Sequence, residues 1–126
     1  MTKDWSNTKE YFITYSILIN AAQHQGVASY QEIAQACGLP TAGSYMGNVL
    51  GQILGLISQN EIAHNRPMLS AIAVDVSGMP GKGFFNWAKE LGVMQADEDP
   101  AAFLTKVSSS IYDEWKIKYR LSKSKE

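Results

Sequence analysis

The chain has 126 residues, enough for one domain and too few for two full cores. Hydrophobic residues make up 45% of it and charged residues 18%, which excludes a disordered chain. The formal net charge of −1 excludes the broad positive footprint by which many nucleic-acid binders hold phosphates.

Residues 1–7 lack the apolar core of a secretory signal. With Cys37 as the single cysteine, no intrachain disulfide can form, which suits a reducing compartment, and a cytoplasmic location is expected. A first helix is predicted over Thr8–Gln25. Asn7 would cap it with Glu10 three residues on, and Gly26 would take the left-handed stop. Its apolar residues (Tyr11, Phe12, Tyr15, Leu18, Ile19, Ala22) recur at three and four, giving one core-facing stripe.

After an extended Val27-Ala28, the run Ser29-Tyr30-Gln31-Glu32 has the letters and spacing of a capping box. The short helix it opens should stop at Gly38-Leu39-Pro40. A third helix is expected over Ala42–Gln59, with Met46, Val49, Leu50, Ile53, Leu54 and Ile57 along it. The stretch from Pro40 to Asn60 is long enough to raise the question of a membrane span. Its glycines and polar residues (Ser44, Asn48, Gln52, Ser58, Gln59) favour a buried or partner-facing helix instead, with no membrane association.

Beyond Arg66-Pro67, the apolar and branched run Met68–Val76 predicts a strand, and Ser77-Gly78 a turn. A glycine-rich loop over 79–83 then precedes a short helix, Phe84–Leu91, ending at Gly92. Asp99 and Pro100 cap and open the last helix, which carries Phe103, Leu104, Val107, Ile111, Trp115 and Tyr119 into a basic tail over 116–126. This order of elements predicts a mainly α fold with a small β wing: one winged helix-turn-helix-like domain over 1–126, plus a C-terminal helix.

Two surfaces stand out. On the third helix Gly43, Gly47, Gly51 and Gly55 fall four apart, and each interior glycine costs about 1 kcal/mol against alanine. That cost calls for a compensating close approach: packing within the fold, a homodimer or protein-partner groove, or a nucleic-acid or ligand face. Tyr45, Asn48 and Gln52 lie beside the stripe as contact candidates. No charged residue occurs from Thr41 to Asn60, which disfavours ordinary major-groove reading through Arg or Lys.

The second surface is the loop, where Gly81, Lys82 and Gly83 precede a helix and could hold an anion or nucleic acid. Arg66 and Ser70 are expected to join Lys82 in a small basic pocket. The plainer reading makes the loop a wing hairpin with Gly81 and Gly83 at positive φ and Phe84 and Phe85 plugging the core. His24 and His64 lack acidic or thiol neighbours at ligand spacing, so no metal is expected. Trp115 and Tyr119 interleave with bases, as in single-strand binders, although helical spacing assigns Trp115 to the core. The bases Lys116, Lys118, Arg120, Lys123 and Lys125 otherwise read as a solvated terminus.

The runs Ser29-Tyr30-Gln31-Glu32-Ile33-Ala34, Cys37-Gly38-Leu39-Pro40 and Met46-Gly47-Asn48-Val49-Leu50 carry a resemblance. Over about residues 27–92 the chain resembles the winged-helix half of the alkylguanine-DNA alkyltransferases and alkyltransferase-like proteins. Those show Thr-Tyr-Gly-x-Ile-Ala, a Leu-Gly-x-Pro turn and a Val-Gly-x-Ala-Leu helix. The resemblance implies the fold, and DNA binding as one function. Where the family carries Pro-Cys-His-Arg this chain reads Asn65-Arg66-Pro67-Met68-Leu69-Ser70, with no nucleophilic cysteine and no histidine to activate one. The family's recognition-helix arginine is also missing.

No catalytic residue and no cofactor are therefore expected. The leading expectation is a non-enzymatic module that binds a protein partner or a second copy of itself. A nucleic-acid binder of the alkyltransferase-like type is the alternative, and an anion or small-ligand sensor or enzyme at Arg66, Ser70 and Lys82 is the third reading.

Overall fold

The computed structural model describes residues 3–118. Its elements are α1 (Lys9–Gln23), β1 (Ala28–Ser29), α2 (Tyr30–Cys37), α3 (Gly43–Ala63), a 3-10 turn (Leu69–Ile72), β2 (Ala73–Val74), α4 (Phe84–Glu90) and α5 (Pro100–Trp115). The architecture is mainly helical with a small β wing. β1 and β2 pair in parallel, Ala28 with Ala73 and Ser29 with Val74, and a single antiparallel bridge joins Val74 to Pro80 across the wing.

Local chemistry sets most boundaries. The box at Ser29 forms as expected: the Glu32 amide donates to Ser29 Oγ at 3.0 Å and the Ser29 amide to Glu32 Oε1 at 2.8 Å. Gly38, at φ 72°, ends α2. Asp99 caps α5 through the Ala102 amide, with Pro100 in the first turn.

Elsewhere the backbone chose a neighbouring residue. Thr8, not Asn7, caps α1, accepting from the Tyr11 amide at 3.1 Å, while Asn7 sits at φ 61° in the turn before it. At the other end Gln25, not Gly26, takes the left-handed position, and the Gly26 amide closes the turn on Ala21 O.

The predicted strand Met68–Val76 is mostly something else. Residues 68–74 are all buried, so no alternation marks them, and only Ala73–Val74 is paired and extended. Leu69–Ile72 folds as the 3-10 turn against α3, pinned by a buried hydroxyl pair. Ser58 Oγ donates to Ser70 Oγ at 2.7 Å and accepts from the Ser70 amide at 3.2 Å. The core lies between α1, α3, the 3-10 turn and α5, with Leu18, Leu50, Ile53, Ile57, Leu69, Phe103 and Ile111 essentially inaccessible.

α3 runs one turn past its predicted end because Glu61 is fully buried and paired. Arg66 doubles back from beyond the helix, donating through Nε at 3.0 Å and Nη2 at 2.8 Å to the two Glu61 oxygens. Tyr15 of α1 donates its hydroxyl to Glu61 and accepts from Asn60 Nδ2 at 2.9 Å. Burial, and then the bond to Glu61, push the Tyr15 phenol up to about 12. Trp115 of α5 lies under the guanidinium, 5.6 Å from ring centre to Arg66 Cζ. One carboxylate thus ties α3 to α1 and, through Arg66, to α5.

Arg66→Ala would leave that buried carboxylate without its cation. The expected loss is about 3 kcal/mol, the low end for a buried pair, because 28% of the Arg66 side chain is exposed and screened by water. Urea unfolding followed by circular dichroism measures it. A loss below about 0.5 kcal/mol would mean that the pair does not hold this junction.

Candidate binding groove

The wing loop and α4 pass across the outer side of α3 and leave a groove of about 840 Å³ between them. α3 supplies one wall with Ser44, Gly47, Asn48, Gly51, Gln52, Gly55 and Gln59. Gly81, Lys82, Gly83, Phe84 and Trp87 supply the other, and Tyr30 and the segment Lys3–Trp5 also line the space. The two surfaces separated in the sequence, the glycine-striped helix and the glycine-rich loop, are therefore two sides of one groove.

The four stripe glycines have different reasons for being glycine. Gly43 opens α3 at φ 91°, a left-handed conformation that side chains resist. Gly55 is covered by Trp87, whose indole donates to Gly55 O at 2.9 Å and would lie 3.7 Å from an added Cβ. Gly47 and Gly51 have neither excuse. A Cβ on either would meet nothing within 4 Å, because both face the open groove.

In the loop, Gly81 is fixed by a close approach. An added Cβ would overlap the Tyr30 hydroxyl and stand 3.1 Å from Tyr30 Cζ. Burial raises the Tyr30 phenol above its ordinary value, against a bond from the Gly81 amide that pulls the other way. The expected positive φ at Gly81 and Gly83 does not occur; Gly83 caps α4 at φ −81°. The loop needs small residues at Gly81 for Tyr30, rather than for its own torsion. Phe84 plugs the core as expected, while Phe85 is half-buried.

The expected basic pocket of Arg66, Ser70 and Lys82 does not assemble. Arg66 is spent on Glu61 and borders a separate, smaller depression beside Phe103 and Lys106. Its bonds to Glu61 hold the guanidinium charged, well above its ordinary value. Ser70 touches the groove but its hydroxyl belongs to Ser58. Lys82 is exposed on the rim, where Lys3 adds a second cation and Asp4 and Asp75 add two carboxylates. The lining is balanced in charge. α4 has only seven residues, too short to focus an anion at its start.

Along α3 the exposed polar groups are neutral: Ser44, Asn48, Gln52 and Gln59, none hydrogen-bonded through its side chain to another described residue. Tyr45 is 56% exposed but, like Gly43, stands outside the groove lining. The aromatic walls Trp5, Tyr30 and Trp87 escaped the sequence reading, because nothing local says that an N-terminal residue, α2 and α4 converge on α3. The clue available was the density of aromatic residues around a glycine-rich loop.

The two histidines and the cysteine lie away from this space. His24 and His64 are exposed helix ends, each ring bonded through Nδ1 to a carbonyl of its own helix, Asn20 and Asn60. Cys37 is half-buried against Thr14, and burial raises its thiol, the opposite of nucleophilic activation. Among the described residues no three His, Cys, Asp or Glu side chains gather as metal ligands. No described helix is long and apolar enough to cross a membrane. In the basic tail Lys116 pairs with Asp113 at 3.2 Å; Tyr119, Arg120, Lys123 and Lys125 lie outside the described residues.

Alanine substitutions separate these roles. Gly47→Ala and Gly51→Ala should each stabilise the protein, by up to about 1 kcal/mol, since a methyl there meets open space on a helix. Gly43→Ala and Gly81→Ala should destabilise it, the first through torsion and the second through Tyr30. Thermal unfolding of the four variants gives the signs. Destabilisation by Gly51→Ala would show that something in the folded chain closes over this face.

No known family model matches the chain, and no curated protein or solved structure is significantly similar to it.

Proposed function

We propose that the chain is a non-enzymatic binding module of the cytoplasm that receives a protein partner in the groove between α3 and the wing loop. The observation that carries this reading is the pair Gly47 and Gly51. Both weaken α3, neither is required by the backbone or by packing, and both open onto the groove floor. The aromatic walls Trp5, Tyr30 and Trp87 are of the residue types that anchor protein–protein contacts. Self-association through this surface is the weaker form of the reading, since two concave faces related by a two-fold axis leave a void between them.

A nucleic-acid binder of the alkyltransferase-like type is the second reading. It is supported by the order of elements, a short helix, a longer helix and a wing, and by exposed Asn48 and Gln52, which suit adenine edges. Against it stands the balanced charge of the groove, with little to hold phosphates.

A photo-crosslinking residue at Gln52, compared with one at Asn20 on α1, separates the readings in cells. The expected result is a polypeptide adduct from position 52 that disappears with Gly51→Leu. Nucleic-acid adducts from position 52, with binding of short duplex DNA that weakens steeply with salt and with Lys82→Ala, would replace the first reading by the second. Adducts indifferent to Gly51→Leu would remove the groove from consideration.

A further inference from the structure

Resting on the reading of the groove as a binding site, we infer that its occupant is an extended, uncharged peptide segment of about six or seven residues, held by its backbone. Three independent features of the groove carry this.

The first is length. Lining residues on α3 run from Ser44 to Gln59, and fifteen helical steps of 1.5 Å span about 22 Å. At about 3.3 Å per residue, that is six or seven residues of extended chain.

The second is the set of free hydrogen-bonding groups. Asn48, Gln52 and Gln59 fall within about 40° of one another around the helix axis, at a turn of 100° per residue. They form a row of exposed amides, each able to donate and accept. Asn48 and Gln52 are about 6 Å apart along α3, close to the two-residue repeat of a strand. An extended segment presents unpaired N–H and C=O groups at that repeat. A docked helix has its backbone groups paired internally and offers the row nothing but side chains. Beside the row, Gly47 and Gly51 carry no side chain to keep a second backbone at a distance.

The third is charge. Lys3 and Lys82 are matched by Asp4 and Asp75, so the lining carries no net charge. A single nucleic-acid strand laid along the groove would bring several phosphates to two cations already offset by two carboxylates. An uncharged polypeptide meets no such imbalance.

The test is selection of a displayed random heptapeptide library on the full-length protein, with a parallel pool of random seven-nucleotide single-stranded DNA. Gly51→Leu and Gln52→Ala serve as counter-targets. Both positions are exposed, and each variant is checked by thermal unfolding. The expected result is heptapeptides poor in Asp, Glu, Lys and Arg that bind the wild type at least tenfold more tightly than either variant. Methylation of alternate backbone nitrogens in a selected peptide should cost a similar factor. Selected peptides that tolerate backbone methylation, bind better when stapled as helices, or depend on charge would overturn the inference and leave the groove reading intact. Enrichment of oligonucleotides, but not peptides, in a Gly51-dependent manner would overturn it in favour of nucleic acid. Selected binders indifferent to both substitutions, or no binders from either pool, would overturn it together with the groove reading.

Discussion

At the C-terminal end of α3 a carboxylate with no exposed surface, that of Glu61, has to be neutralised, and the residue that does so decides the path of the chain that follows. Arg66 reaches it from five residues on, which requires a tight reversal. Asn65 supplies the left-handed step at φ 61°, and the Arg66 amide bonds to Glu61 O at 2.8 Å. Backbone and side chain of Arg66 thus both end on Glu61. From that fixed point Met68–Ile72 has nowhere to go but back along α3, where Ser70 meets Ser58 and five consecutive residues are buried. β2 then falls beside β1, and the wing and α4 are delivered across the outer face of α3, where Trp87 lands on Gly55. The groove is a consequence of that route.

How much of this was legible depends on distance in the chain. Signals that act within four residues read correctly: the box at Ser29 and Glu32, the stop at Gly38, the cap at Asp99 with Pro100. Signals with two adjacent solutions read one residue off. Thr8 displaced Asn7 as cap, and Gln25 displaced Gly26 in the left-handed position, because tertiary contacts choose between near-equal local options. The run at Met68–Val76 misled because a segment buried on every side loses the alternation that marks a strand. The partner of Arg66 was missed although Glu61 is the one charged residue within α3. An arginine near a glycine-rich loop invites an anion, and only the folded chain shows that the cation is already used.

The site itself was half legible. Gly47 and Gly51 could be singled out by their helical cost, but so could Gly43 and Gly55, and only the folded chain separates torsion and packing from open space. That the loop carrying Lys82 faces the same helix follows from the reversal at Asn65, which the sequence marks only weakly. The groove brings together neutral amides, aromatic walls and balanced rim charges, with the histidines and the cysteine elsewhere.

The most direct test of the central claim, that α3 presents an uncovered glycine face to solvent, is nuclear relaxation caused by a soluble paramagnetic chelate at the Hα protons of Gly47 and Gly51. Enhancements in the free protein are expected to be several-fold above those of buried Leu50 and Ile53, larger at exposed Gly51 than at half-buried Gly47, and unchanged on dilution. Enhancements as small as those at Leu50 would contradict the claim, because the face would then be covered by the chain or by another copy.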